Sequence, residues 1–425
     1  MLSSIRKDLL KIASKSIEQV LPDKAVANEV SKIHVNGLPY VIAIGKAAWR
    51  MARALYDCLE GQVAAGIVIT KYGHSEGDIP NFRIFEAGHP IIDEASLQAT
   101  RAAITLVQSL KPTDSLFFLV SGGGSALFEL PIHGITLEDL KKINIELINS
   151  GANIEEINLV RKLLSQVKGG GFLNFCGVSK IVSLVLSDVI GNALSSIASG
   201  PIYFEKIDIS RIKQIILKHQ INLPMEILVK QMEEASSVAC NIKVETHLVG
   251  SVETMCQSAA LIASQLGYNS VIREMQLQDS LEAFLDRFNN ELRFFRNMAN
   301  QNQKSYCLIY GGELTLKVAG AGKGGRSQHI AIKVAQLIDG IGGVYFLAQA
   351  SDGTDGPTDA AGGLVDSKTA ERLREKAFSL ESAINDFDAY HALVQAGDLI
   401  ITGPTGTNVN DLILCVITPD QILRE

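Results

Sequence analysis

The chain has 425 residues, too many for one ordinary hydrophobic core, so two domains are expected. Its net charge of −7 argues against nucleic acid as a partner, and no apolar run reaches the roughly 18 residues that a membrane helix needs. The six cysteines (Cys58, Cys176, Cys240, Cys256, Cys307 and Cys415) stand singly and the eight histidines show no paired-ligand spacing, which predicts free thiols in a reducing cytoplasm and no transition metal.

Leu2, Ile5, Leu9, Ile12 and Val20 fall at helical spacing and predict a docked first helix, with Asp8 and Glu18 unlike an acid-poor targeting segment. From 41 to 200, apolar runs alternate with helical patterns. Strands are expected at 41–45, 64–70, 83–88, 115–121 and 181–188, several of them continuously hydrophobic, as strands covered on both faces are. Helices are expected at 46–60, 93–110, 136–150 and 155–167. This alternation predicts an α/β fold with a doubly wound, Rossmann-like parallel sheet and function at the carboxyl ends of its strands. Segment 202–236 reads as helical and polar. A strand at 242–250 precedes helical runs at 251–266 and 279–300, a Gly-rich hairpin at 307–320, a helix at 326–338 and strands at 344–350 and 411–418. The expected division is 1–238 and 239–425.

Six stretches carry candidate chemistry. In "VIAIGKAAWRMA", Lys46 stands between a strand and a helix, where amides and the helix dipole favour an anion; a solvated loop lysine is the bland reading. "FLVSGGGSALFELP" sets Ser121, Gly122, Gly123, Gly124 and Ser125 after a buried strand, and three successive glycines cost too much backbone entropy for a mere spacer. "INLVRKLLSQVKGGG" spaces Asn158, Arg161, Ser165 and Lys168 on one helical face, and Lys168 abuts three glycines. Asp188 follows a buried strand, placed to hold Mg²⁺ or take a hydroxyl proton; capping a helix at 189–198 is its structural reading.

The fifth stretch is the richest. "YGGELTLKVAGAGKGGRSQHIAI" (310–332) and "ASDGTDGPTDAAGGLVD" (350–366) set Glu313, Lys323, Arg326, Asp352 and Asp355 among glycines. Glycines admit a phosphate to the backbone, cations neutralise it and carboxylates hold Mg²⁺, the parts phosphoryl transfer needs. Gly320–Gly325 also spells GxGxxG, yet the preceding Leu314, Leu316 and Val318 alternate with polar residues, unlike a first dinucleotide-binding strand. The closing loop offers Thr402, Thr405, Thr407, Asn408 and Asn410 as donors for a phosphate or nucleotide edge.

Taken in order, "GKAAWRMA", "GHPIIDEAS", "SGGGSALFELP", "LLSQVKGGG", "SDVIGNALSSIASGP", "GGELTLKVAGAGKGGRSQ", "SDGTDGPTDAAG" and "TGPTGTNVND" resemble the class II glycerate kinases with a C-terminal MOFRL domain, over nearly the whole chain. The resemblance implies ATP-dependent phosphorylation of D-glycerate at its 2-hydroxyl, giving 2-phosphoglycerate, with Mg²⁺. It also implies a smaller C-terminal α/β domain with a mixed sheet and an active site in the cleft between the domains. The family's two essential basic residues map onto Lys46 and Arg326. With Asp188 these are the expected catalytic residues. Ser121–Ser125, Lys168, Glu313, Thr405 and Asn408 are the expected binding residues, and Asp352 and Asp355 the expected metal ligands. Asn192, Ser327 and His329 depart from the family's Asp, Asn and Glu. Expected partners are D-glycerate, ATP and a second copy in a homodimer, without nucleic acid or membrane. The alternatives are an NAD(P)H-dependent hydroxypyruvate reductase and a phosphometabolite-binding sensor that needs no catalytic carboxylate.

Overall fold

The computed structural model describes residues 4–34, 37–205, 208–223 and 242–420, in two compact units: Pro22–Val249, and Met1–Leu21 with Gly250–Glu425. The expected boundary near 238, Cys240 and the end of segment 202–236 lie outside the described residues. Among those described, no helix is long and apolar enough to cross a membrane.

Helix α1 (Ser4–Gln19) belongs to the second unit, where Arg6 pins it. The Arg6 guanidinium donates to Asp366 (2.6 Å), to Asp398 (2.8 Å) and to the Leu364 carbonyl (2.8 Å), and Arg372 closes the network onto the same two aspartates. Burial tends to raise both carboxyls; hydrogen bonds hold Asp366 below its ordinary value, while Asp398 stays above.

The first unit begins with α2 (Pro22–Val30). Its sheet comprises β1 (Tyr40–Ile44), β2 (Ala65–Lys71), β3 (Phe82–Ala87), β4 (Ser115–Val120), β5 (Lys180–Leu186) and β6 (Lys243–Gly250), in the order β3-β2-β1-β4-β5-β6. Pairings from β1 to β5 are parallel, and the expected strand at 242–250 extends this sheet beside β5. The chain runs outward from β1 to β3 and then crosses back to β4. The switch point therefore falls between β1 and β4, where doubly wound sheets hold ligands. Ile44 pairs with Val120, so Gly45 and Ser121 leave the sheet at the same level.

Helices α3 (Ala48–Cys58), α4 (Glu94–Gln108), α5 (Gly124–Leu127), α6 (Leu137–Asn149), α7 (Ile154–Leu163) and α8 (Ile209–His219) follow the expected pattern, α5 excepted. Capping boxes start three of them where the sequence carries the signal: Asp93 with Ser96, Thr136 with Asp139, and Asn153 with Glu156. The last ends at Leu163, so Ser165 and Lys168 do not share a helical face with Asn158 and Arg161. Nor does Asp188 cap a 189–198 helix, for that segment holds only two three-residue turns at Ile190–Asn192 and Ile197–Ser199. Phe118, Phe128 and Phe172 pack ring to ring at 5.1–6.1 Å, the first two on either side of the triple-glycine loop in sequence. Such aromatic contacts each contribute about 0.5–1.5 kcal/mol beyond burial.

The second unit continues with α9 (Val252–Gln265), β7 (Asn269–Leu277), α10 (Leu281–Asn302), β8 (Tyr306–Gly312), α11 (Arg326–Leu337), β9 (Val344–Ala350), β10 (Gly362–Asp366), α12 (Thr369–Glu375), α13 (Leu380–Asn385), α14 (Ala389–Ala396), β11 (Leu399–Ile400) and β12 (Asp411–Ile417). Its sheet runs β11-β10-β9-β12-β8-β7 and is mixed, with β7 parallel to β8 and the other pairs antiparallel. The expected hairpin at 307–320 is a single strand, β8, followed by an irregular Gly-rich segment. Its partners are β7 and β12, and Phe284, Phe288, Tyr310 and Phe346 fill the core beneath them.

Candidate functional site

The first cluster lies at the carboxyl ends of the parallel strands. Gly45 turns the chain at φ 115°, against Ser121, and the Ser121 hydroxyl accepts from the Ala47 N–H at 3.0 Å. The Lys46 N–H donates to the Gly122 carbonyl (2.9 Å), and the Lys46 carbonyl accepts from the Thr70 hydroxyl (3.3 Å). Lys46 is thereby fixed by its backbone, while among the described residues its ammonium enters no ion pair. That charge is available to an incoming anion.

The triple glycine is explained by its neighbours. A side chain at Gly122 would run into the Asp188 carboxylate, and one at Gly124 would crowd Ala198. Gly123 has φ 86°, and a Cβ there would lie 3.0 Å from the His89 ring and 3.2 Å from Lys46 Cγ. Lys46, Asp188, His89 and the loop thus converge on one spot, with Lys71 and His74 beside it; His74 Nδ1 is 3.0 Å from the Lys46 carbonyl.

Three expected binding groups of this unit are already engaged. The Ser121 side chain is buried in the turn, and the Ser125 hydroxyl pairs with that of Ser199 at 3.0 Å. Lys168 forms an ion pair with Glu129 in which both side chains are 1% exposed. Burial pushes the lysine down and Glu129 holds it up. A phosphate-binding role for Lys168 does not fit, because its charge is spent in the interior.

A second cluster surrounds the start of α11. Arg326, its first residue, donates from Nε to Asp411 (2.7 Å) and from a terminal nitrogen to Glu313 (2.8 Å). Burial opposes this charge, but the two carboxylates hold the guanidinium well above its ordinary value. Asp411 starts β12 and is buried; burial pushes it up to about 6 against the pull of Arg326, with Asp355 and Glu313 adding to the rise.

Asp355 is not placed as a metal ligand. The position before Arg326 is Gly325, which has no side chain to cap the helix, and Asp355 supplies the cap from another loop. Its carboxylate accepts from the N–H groups of Ser327 (3.1 Å) and Gln328 (2.8 Å) and from the Gln328 amide (3.0 Å). Burial raises its pKa, and these donors oppose the rise. Asp352 accepts from the Thr354 N–H (2.9 Å). Among the described residues no three His, Cys, Asp or Glu side chains are grouped to hold a metal ion. The donor set does not fit a resident Mg²⁺.

The closing loop is likewise tied inward. Thr405 donates its hydroxyl to the Ser351 carbonyl (2.6 Å) and its N–H to the Asp352 carbonyl (3.0 Å), and Asn408 accepts from the Asn410 N–H (3.3 Å). These groups position the loop in place of displaying donors. The GxGxxG amides are occupied as well: Ala321 N–H donates to Asp386 (3.1 Å), Gly322 N–H to the Asp386 carbonyl (2.8 Å) and Lys323 N–H to Asp388 (3.1 Å). Two carboxylates and a carbonyl thus take up amides that a dinucleotide-binding loop would offer to a pyrophosphate. The Lys323 ammonium lies 4.1 Å from the centre of the Tyr390 ring.

The sequence reading misses His89 and Asp411. The signal for His89 is its place just after β3, beside the other strand ends; for Asp411 it is a carboxylate opening an otherwise apolar buried strand.

A family model described as a domain of unknown function, DUF4147, matches residues 8–232, and the MOFRL family model matches 306–411. The chain is 43% identical to the D-glycerate 2-kinase of Thermotoga maritima, over 97% of this chain and 99% of that one. It is 33% identical to a putative hydroxypyruvate reductase of Agrobacterium vitis, over 96% of this chain and 94% of that one. The crystal structure of the Thermotoga maritima glycerate kinase superposes with a TM-score of 0.89 at 42% identity, covering 98% of this chain and all of that one.

Proposed function

Because the chain belongs to the DUF4147–MOFRL family, we propose that it is a glycerate kinase that transfers the γ-phosphoryl of ATP to the 2-hydroxyl of D-glycerate, giving 2-phosphoglycerate and ADP. The observation that carries this is the cluster at the β1–β4 switch point: a Lys46 ammonium that enters no ion pair among the described residues, and the Asp188 carboxylate, on either side of a triple-glycine loop. A kinase needs just such a cation, a proton acceptor and close backbone approach, since phosphoryl transfer is mostly positioning and charge stabilisation.

In the proposed reaction the 2-hydroxyl oxygen attacks the γ-phosphorus, the bond to the ADP oxygen breaks, and the hydroxyl proton passes to Asp188. Lys46 supplies positive charge to the transferring phosphoryl, and Arg326 is a second candidate cation, carried by the other unit. Glu313 and Asp411 aim the Arg326 guanidinium, and Asp355 fixes the helix end that carries it. Mg²⁺ belongs to this proposal as the ion of the nucleotide phosphates, because among the described residues no carboxylates are grouped to hold it.

The name of the Agrobacterium vitis relative calls for the reductase to be tested beside the kinase. Against the reductase stand the occupied GxGxxG amides. The test is to incubate the protein with ATP, Mg²⁺ and D-glycerate, and separately with NADH or NADPH and hydroxypyruvate. ADP release that requires glycerate supports the kinase. Reduced-nicotinamide oxidation without glycerate-dependent ADP release overturns it, and saturable binding with neither activity favours a sensor.

A further inference from the structure

The strand ends of the first unit hold one group that the phosphoryl-transfer account leaves without a role. His89 follows β3, and its ring meets Lys46 over Gly123: a Cβ on that glycine would lie 3.0 Å from both Cδ2 and Nε2 of the imidazole. Replacing this glycine would push His89 and Lys46 apart, so the loop's shape and the histidine's position are one feature.

The chemistry of His89 differs from that of its neighbours. Half-burial, and then Lys46, Lys71 and His74, hold its imidazole below the ordinary value of 6.5, which favours the uncharged form. The carboxylates nearby are Asp188, across Gly122, and Asp93, beside Gly88 and bonded to the Tyr72 hydroxyl at 2.8 Å. A neutral imidazole offers one N–H donor and one nitrogen acceptor, whereas a lysine offers donors only. A small hydroxy acid presents both kinds of partner: a carboxylate to accept and hydroxyls to donate.

We propose that His89 is a substrate-contacting residue that, beside Lys46 over Gly123, hydrogen-bonds the acceptor hydroxy acid and selects it over acids lacking a hydroxyl. This rests on the kinase reading above. His89 acts on the acceptor and not on the nucleotide, so its loss separates the two Michaelis constants.

The test is steady-state ADP formation by the full-length protein and its His89→Gln and His89→Ala variants, with thermal unfolding measured for each. A lost hydrogen bond to a charged or strongly polar substrate group is worth roughly tenfold in binding. KM for D-glycerate is therefore expected to rise about tenfold in His89→Ala, less in His89→Gln, with KM for ATP changed less than about twofold. A wild type active with glycerate, beside variants whose KM for glycerate is unchanged or rises equally with that for ATP, overturns this inference alone. A wild type that makes no ADP with glycerate overturns the kinase reading and this inference with it. Should the variants not fold, the wild-type His89 imidazole resonances are titrated with D-glycerate. Glycerate is expected to shift them and raise their titration midpoint, and no change at saturation overturns the inference.

Discussion

Asp355→Asn separates a structural carboxylate from a metal-binding one. The change keeps the size of the side chain but replaces one acceptor oxygen by an amide group that faces backbone N–H donors. In the native structure the carboxylate accepts three N–H bonds at 2.8–3.1 Å, two of them from backbone N–H groups in the buried first turn of α11. Each bond to a charged acceptor contributes about 1.5–3 kcal/mol. Asparagine forfeits one and weakens the others, and its cheaper burial returns part of that loss, because burial already pushes the Asp355 carboxyl up. The net loss is about 2–3 kcal/mol, and the melting temperature of this unit should fall by about 5–10 °C. Activity falls with the displaced Arg326, while the Mg²⁺ concentration for half-maximal rate stays within about twofold. Thermal unfolding and a Mg²⁺ titration of ADP formation read both quantities. An unchanged melting temperature together with a Mg²⁺ requirement raised about tenfold would refute the capping argument and restore Asp355 as a ligand.

Lys46→Ala and Arg326→Ala should each reduce kcat/KM by about 10³-fold, the order expected for a transition-state cation, and leave Lys46→Ala within about 0.5 kcal/mol of wild-type stability; activity within tenfold of wild type in both would refute these roles. Arg6→Ala leaves Asp366 and Asp398 short of a buried partner and should destabilise the second unit by about 3–5 kcal/mol in denaturant melts; a loss below about 1 kcal/mol would mean α1 is held by packing alone. Asp411 has a folded pKa raised to about 6, so the stability from its protonated form is present at low pH and is lost as pH rises through about 6. Ionised Asp411 is the form that aims Arg326, so kcat/KM should rise through about pH 6, and the pH–rate profile of Asp411→Asn should lack that rise.

The first sheet was largely legible because its central strands, such as Tyr40–Ile44 and Ser115–Val120, are buried on both faces and read as nearly continuous apolar runs. The helix expected at 136–150 starts at Leu137, behind a capping box of Thr136 and Asp139. What the sequence could not show is how a charge is used once buried. Lys168 and Arg326 look alike as cations beside glycines, yet one is neutralised in the interior by Glu129 and the other is held at the start of a helix. Asp355 stands in a Gly-rich turn and resembles a metal ligand until Gly325, 30 positions earlier, proves to lack a cap of its own. The strand Gly362–Asp366 carries two glycines that read as turn residues, but they are there because the neighbouring strand and Leu393 leave no room for a side chain. Helix α1 was legible as a docked helix, though its unit was not, since Arg6 finds Asp366 at a separation of 360 residues.

The measurement that bears most directly on the kinase account is the ³¹P spectrum of the product formed from ATP, Mg²⁺ and D-glycerate, recorded with proton coupling. Phosphate on the 2-oxygen couples to a single methine proton and gives a doublet, the result this account predicts. A triplet from phosphate on the 3-oxygen, or no phosphorylated glycerate at all while the protein remains folded, would contradict it.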